Sequence, residues 1–235
     1  WQGVRLRTSG SVRIDRVVPL TGLDSLQLKL GIDAAGEKVP EQLAIDVEVS
    51  RGGKPLVSKT LAWPDAAEMT FDNLEAELWH PANPVLYDVS VSLREGERVV
   101  DREVRRIGFR TFEAGDDHFL LNGKPYRFFG ANMPPHGLKP NDRDLAREFF
   151  RRMREANQVA TRAHATPLPK VWLEEADRAG VLVSQEGSWP WLGLRSSPLP
   201  SDESIEVWRK EWAGLMEQAV SHPSVVLWTI NNETY

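Results

Sequence analysis

From residue 11 to about residue 110 the chain alternates apolar and polar positions with a period of two, the signature of half-buried β-strands. Leu26, Leu28, Leu30 and Ile32 alternate with Gln27, Lys29 and Gly31. Leu43, Ile45, Val47 and Val49 alternate with Ala44, Asp46, Glu48 and Ser50, and Tyr87, Val89, Val91 and Leu93 with Asp88, Ser90, Ser92 and Arg94. Arg51-Gly52-Gly53-Lys54 and Glu95-Gly96-Glu97 read as turns between them. Further runs near 12–18, 54–62, 67–72 and 97–107 bring the total to about seven short strands. That number and spacing predict an immunoglobulin-like sandwich.

After Phe112-Glu113-Ala114-Gly115 the period changes. Tyr126-Arg127-Phe128-Phe129-Gly130 reads as a strand. Residues 142–157 read as a helix, with Leu145, Phe149 and Met153 four apart and Asn141 or Asp142 as N-cap. Gln158–Arg162 is a short strand, 169–179 a helix closed by Gly180, and Val181–Gln185 a buried strand. Residues 203–221 place Ile205, Trp208, Trp212, Leu215 and Ala219 on one helical stripe, and Val225–Ile230 is a fourth strand. The order β-α-β-α-β-α-β predicts a parallel sheet with right-handed crossovers.

Four such strands fit either a doubly wound sheet or half of an eight-stranded barrel. No glycine-rich phosphate-binding sequence follows any of them. Polar residues do: Asn132 after the first, Arg162 and His164 after the second, Gln185 and Glu186 at the third, Asn232 and Glu233 after the fourth. All are expected on one rim, at the carboxyl ends of the strands, where α/β folds carry their chemistry.

Composition narrows the function classes. A net charge of −5 and a pI near 5.6 argue against a nucleic-acid or anionic-membrane binder. No apolar run approaches the roughly 18 residues of a membrane-spanning helix. There is no cysteine, which excludes disulfides, thiolate catalysis and cysteine metal sites, and is compatible with cytoplasmic and periplasmic proteins alike. The chain opens inside what reads as a strand, without an initiator methionine or signal peptide, and stops two residues after Glu233. It is therefore expected to be a segment of a longer protein.

Glu233 is the candidate general acid, because an enclosed apolar strand end disfavours the charged carboxylate and keeps its proton near neutral pH. Its plainer reading is a glutamate on a frayed end. Asn232 is placed to donate to a substrate hydroxyl. His164 and Arg162 suit sugar hydroxyls or the orientation of a carboxylate, against a solvated loop before Pro167-Leu168-Pro169. Glu186 either binds substrate or pairs with Arg162. Asn132 either faces substrate or merely ends its strand. Trp189 and Trp191 follow the third strand, where tryptophans stack on sugar rings or pin a loop. Trp208 and Trp212 read as core, His136 as an ordinary loop histidine, and His80, His118 and His222 as structural. No cluster has metal-site spacing, and no Ser/His/Asp set is placed for nucleophilic catalysis.

Three stretches carry a resemblance: Leu78-Trp79-His80-Pro81-Ala82-Asn83-Pro84-Val85-Leu86-Tyr87, then Ile107-Gly108-Phe109-Arg110-Thr111-Phe112, then Phe119-Leu120-Leu121-Asn122-Gly123-Lys124-Pro125 leading to Gly130-Ala131-Asn132. With the closing His222-Pro223-Ser224, Trp228 and Asn232-Glu233, they resemble glycoside hydrolase family 2 over nearly the whole chain. The resemblance implies a multidomain fold: residues 1–10 ending a jelly-roll domain, 11–113 an all-β immunoglobulin-like sandwich, and 114–235 the first half, strands one to four, of a (β/α)8 TIM barrel. Trp1–Thr8 would be the last jelly-roll strand. It also implies retaining hydrolysis of a β-glycoside with Glu233 as acid/base, Asn232 contacting the hydroxyl next to the anomeric carbon, and His164, Glu186 and Asn132 as subsite residues. The nucleophile would come from the seventh strand, outside this chain.

Two departures bear on the sugar. The β-galactosidase and β-glucuronidase branch reads Arg-Thr-Ser-His at strand two and Asp-Glu at strand three, where this chain has Arg162-Ala163-His164 and Gln185-Glu186. Gly-Ala-Asn and Asn-Asn-Glu look closer to the β-mannosidase branch, whose Arg-Val-Trp-Gly-Gly-Gly is absent. The resulting expectation is an exo-acting glycosidase of β-galactosides, β-glucuronides or β-mannosides with a carbohydrate substrate as its partner, no cofactor, and no nucleic-acid or membrane partner. Its rival is a non-catalytic carbohydrate-binding or spacer module. Four strands alone leave barrel edges uncovered, so the isolated chain is expected to pair with a second copy as a homo-oligomer, rearrange or be poorly stable.

Overall fold

The structure, a computed structural model, describes residues 6–35, 39–40, 42–132, 134–187, 200–230 and 232. The alternating region folds as seven strands: β1 (Arg13–Thr21), β2 (Leu26–Asp33), β3 (Leu43–Arg51), β4 (Lys54–Ala62), β5 (Glu68–Phe71), β6 (Tyr87–Glu95) and β7 (Arg98–Ile107). They form two antiparallel sheets, β1-β2-β5 and β4-β3-β6-β7. In the constant-type immunoglobulin arrangement the fourth strand belongs to the first sheet; here β4 pairs with β3. The inward positions of both sheets, among them Leu28, Ile45, Val47, Val89, Val91 and Leu93, close into one buried apolar cluster. Edge strands β4 and β7 carry Pro55 and a run of charged residues, which blunt their unpaired hydrogen-bonding groups.

Of the expected jelly-roll strand, Trp1–Arg5 lie outside the described residues, and residues 6–10 form no strand. The expected first barrel strand also needs correction. Tyr126 ends the last strand of an antiparallel meander, β8 (Phe112–Ala114), β9 (Phe119–Leu121) and β10 (Lys124–Tyr126). Asn122 and Gly123 turn β9 into β10 with φ of 52° and 72°, the conformation an Asn-Gly hairpin favours. Phe128, read as part of a strand, instead packs among Phe112, Phe119 and Tyr126.

The parallel strand begins later, as β11 (Gly130–Asn132), followed by α1 (Arg143–Glu155), β12 (Ala160–Arg162), α2 (Lys170–Ala179), β13 (Leu182–Glu186), α3 (Asp202–Ala219) and β14 (Val225–Thr229). The sheet runs β11-β12-β13-β14, every pair parallel. A side chain at residue 130 would place its Cβ 1.9 Å from the Ala160 carbonyl, so β11 can approach β12 only with glycine there. Asp142 caps α1 by accepting from the Leu145 N–H at 2.9 Å. Gly180 ends α2 at φ 68°.

Two helical stripes differ from expectation. Helix α1 buries Ala146, Phe150 and Met153 most deeply, leaving Leu145 and Phe149 at the margin of the apolar face. Met153 is buried as expected, but the two preceding positions are each one residue later, a turn of about 100° around the axis, so the buried spacing is four then three. Along α3 Ala219 alone is fully buried; Trp208 and Trp212 are half-buried and stacked on one another, and Trp212 meets Trp228 edge-on.

The two units share a tight seam. Trp79, wholly buried, donates its indole N–H to the Asp177 carbonyl of α2 at 3.0 Å. Gly108 touches Trp79 and Pro223 so closely that a Cβ would lie 2.7 Å and 2.9 Å from them, and one at Gly180 would lie 2.4 Å from the Pro81 carbonyl.

Candidate active site

Period-two alternation divides the parallel sheet into two faces. Ala163, Val183, Val225 and Trp228 join α1 and α2 in the second apolar cluster. The cross-strand partners Asn132, Arg162 and Ser184, with Leu227 opposite Ser184 and Thr229 opposite Glu186, stand on the other face. A cavity of about 380 Å³ lies against it, floored by Gly130, Ala160 and Ser184 and bounded by Asn132, Arg162 and Leu227.

Arg162 organises this face. Its Nε donates to Glu186 Oε2 at 2.6 Å, and its Nη2 donates to Asn232 Oδ1 at 2.7 Å. One guanidinium thus ties together the ends of β12, β13 and β14. Glu186 is completely buried, and its other oxygen accepts the Ala165 N–H at 2.9 Å. Both oxygens of this buried side chain are thus paired, one of them with a cation, as a buried acidic group requires. Ala165 reaches it from the left-handed region, at φ 61°, which costs a residue with a Cβ about 1 kcal/mol or more.

His164 is presented by the same turn. Its Nδ1 is buried and has no hydrogen-bond partner among the described residues. Such an atom costs about 1–3 kcal/mol unless something pairs with it. Asn132 is exposed on the edge strand β11. Asn232 is 8% exposed. Glu233 and Trp189, and Trp191 with them, lie outside the described residues.

The structure separates Gln185 from the rim set. It points to the helical face, fully buried, where its carboxamide accepts the Leu168 N–H at 3.0 Å and donates to the Leu168 carbonyl at 3.1 Å. The reason is the strand period: neighbours in β13 cannot share a face, so only Glu186 of the pair turns inward. His136 is more than a loop residue. It is buried, its Nδ1 donates to the Pro134 carbonyl, and its Nε2 accepts from the Thr166 hydroxyl, both at 2.8 Å. Burial holds its pKa below the usual imidazole value.

Sequence reasoning missed Ser184 and Thr229, whose hydroxyls meet at 2.9 Å on the site face. Counting back two positions from Glu186 would have found Ser184. It also missed Asp177, a carboxylate four residues after Leu173 on the buried stripe of α2. Among the described residues no His, Asp or Glu group of three comes together as a metal-ligand set.

A larger crevice, of about 780 Å³, separates the sandwich from α2 and α3, but it contains none of Asn132, Arg162, His164 and Glu186. The convergence of strand ends, rather than cavity size, marks the candidate site.

Residues 11–110 match the family described as glycosyl hydrolases family 2, and residues 112–235 match the TIM barrel domain of glycosyl hydrolases family 2. A β-galactosidase of Alteromonas mediterranea is 28% identical over 229 residues, covering 88% of this chain and 20% of that protein. A β-galactosidase of Streptococcus thermophilus is 27% identical over 181 residues, covering 71% and 18% respectively. The chain thus spans about a fifth of the length of these relatives. Among solved structures, a family 2 glycosyl hydrolase from Bacteroides cellulosilyticus superposes with a TM-score of 0.79 at 20% identity, over 96% of this chain and 33% of that one. A Parabacteroides merdae β-glucuronidase superposes with 0.76 at 23% identity, over 93% and 28%. These likenesses establish a shared fold.

Proposed function

Because this chain belongs to glycosyl hydrolases family 2, we propose that the protein carrying it is a retaining exo-β-glycosidase that cleaves O-glycosidic bonds of β-galactosides, β-glucuronides or β-mannosides. The observation that carries the proposal is the Arg162 bridge, which gathers Glu186 and Asn232 on one sheet face at the carboxyl ends of the strands. The proposed division is a jelly-roll end at 1–10, the sandwich at 11–113, and barrel strands one to four at 114–235.

In this mechanism Glu233 protonates the departing glycosidic oxygen while a second carboxylate attacks the anomeric carbon, the two lying about 5–5.5 Å apart. Water then resolves the glycosyl-enzyme, with Glu233 acting as base. Asn232 is held through its carboxamide oxygen by Arg162, which leaves the NH2 group as its donor toward the hydroxyl beside the anomeric carbon. The unpaired Nδ1 of His164 supports a role in binding a sugar hydroxyl. Asn132 and Trp189 complete the proposed subsite as hydrogen-bonding group and stacking surface. The nucleophile is expected on the seventh barrel strand, so these 235 residues alone should hydrolyse nothing.

The test uses the full-length protein and 4-nitrophenyl β-galactoside, β-glucuronide and β-mannoside. One of them should be turned over, with the first-formed sugar retaining the β-anomeric configuration by NMR. Glu233→Gln should lower turnover of substrates with poor leaving groups by about 10²–10⁴, while largely sparing activated aryl glycosides. Carbohydrate binding without turnover of any of the three would replace the proposal with the binding-module reading.

A further inference from the structure

Strand β14 contains an extra residue. Val183 of β13 stands opposite Val225, but Ser184 stands opposite Leu227, so Val226 is a bulge. The bulge decides which way the end of the strand faces. Without it Val226 would oppose Ser184 and Trp228 would oppose Glu186, turning a tryptophan now packed on the helical face into the site.

The segment just before the bulge, residues 222–225, is gripped by side chains from both units. Asp177, 1% exposed, receives the Ser224 N–H at 3.1 Å and the Ser224 hydroxyl at 2.6 Å on Oδ1, and the His222 Nδ1–H at 2.5 Å on Oδ2. From the sandwich side, Arg110 donates through Nε to the Pro223 carbonyl at 3.0 Å and through Nη2 to the Val225 carbonyl. The Ser224 carbonyl accepts the Val183 N–H at 2.7 Å. Burial pushes the Arg110 pKa down to about 10, with Asp177 opposing the shift, so the guanidinium stays charged at neutral pH. One buried and one partly buried charged side chain thus converge on a single four-residue stretch.

We propose that Asp177 and Arg110 are positioning residues of the glycosidase site: they lock the bulged register of β14, which turns Leu227 and Thr229 rather than Trp228 to the site face, and thereby set where the strand end delivers Asn232 and the acid/base carboxylate. The proposal rests on the reading of Glu233 as acid/base. It makes the sandwich a contributor to catalytic geometry through Arg110.

The experiment compares 2,4-dinitrophenyl and phenyl glycosides of the accepted sugar in the full-length enzyme carrying Asp177→Asn, Arg110→Lys or Ser224→Ala, with Glu233→Gln as control. Misplacing the proton donor should depress kcat/KM for the phenyl glycoside at least tenfold more than for the dinitrophenyl one in Asp177→Asn and Arg110→Lys. The milder Ser224→Ala, which loses one hydroxyl and keeps the backbone N–H bond to Asp177, should show the same selectivity at a few-fold. A purely structural role would lower both substrates alike, through the folded fraction; equal losses across the variants overturn the proposal. If Glu233→Gln itself shows no dependence on leaving group, the acid/base reading fails instead. Selectivity in the control without selectivity in Ser224→Ala or Arg110→Lys removes the register proposal alone.

Discussion

The sandwich and the parallel sheet solve opposite problems with similar strands. In the sandwich, both inner faces are apolar and cover one another, and charged groups remain outside: Arg94 with Asp46, and Arg106 with Asp88. In the parallel sheet one face is apolar and packed on helices, while the other carries a buried carboxylate paired with a partly exposed arginine, a carboxamide held by that guanidinium, and a histidine nitrogen without a partner among the described residues. The first arrangement makes stability from redundancy, since many residues each contribute a little. The second concentrates unsatisfied and charged groups in one place, where each has few substitutes, as a site poised for a polar ligand requires.

Three substitutions sharpen that contrast. Arg162→Ala should have the largest effect, because it leaves the fully buried Glu186 carboxylate without its cation: about 3–5 kcal/mol of stability and loss of activity together, read by denaturant unfolding and by turnover. Retention of activity would mean that this face is not the site. Ile45→Ala in the sandwich core should cost about 2–5 kcal/mol, yet leave kcat of the folded fraction within a few-fold of wild type. A selective fall in kcat would show that the sandwich core is coupled to the chemistry more broadly than through its seam.

Arg94→Gln should have the smallest effect, because the pair with Asp46 is partly solvated and such pairs contribute little. The Arg94 hydrogen bond holds the Asp46 carboxyl below its ordinary value of 3.8, against the opposing effect of burial. A lowered folded pKa means that the contribution is complete above about pH 4 and fades as pH falls through the folded value. Wild type and variant should therefore converge in stability once the pH is well below that folded value. A difference that persists there would point to lost packing of the arginine stem rather than lost charge.

The same contrast explains what could be read from the chain. Period-two alternation was legible wherever one face of a strand meets a core, as at Leu43–Val49 and Tyr87–Leu93, because burial there repeats faithfully. It failed at 126–130, where an aromatic run serves a meander and the Asn122-Gly123 turn carried the better signal. At the site, polar residues ending strands were easy to locate, but adjacent ones such as Gln185 and Glu186 needed the face assignment that pairing supplies. Asp177 was hidden for another reason. Its partners, Ser224 and His222, are 47 and 45 residues away, and nothing local announces a contact of that range.

The seam between the units has a consequence for recombination. The matches to the two family domains meet near residue 111, which invites treating the sandwich as a cassette to be exchanged between homologues. Trp79 and Arg110 lie before that junction, and their partners on α2 and ahead of β14 lie after it. Gly108 and Gly180 leave no room at the junction for a differently shaped neighbour. A chimera cut there would inherit mismatched halves of one contact surface, so the unit that can be exchanged intact is the sandwich together with the four-stranded parallel sheet and its helices.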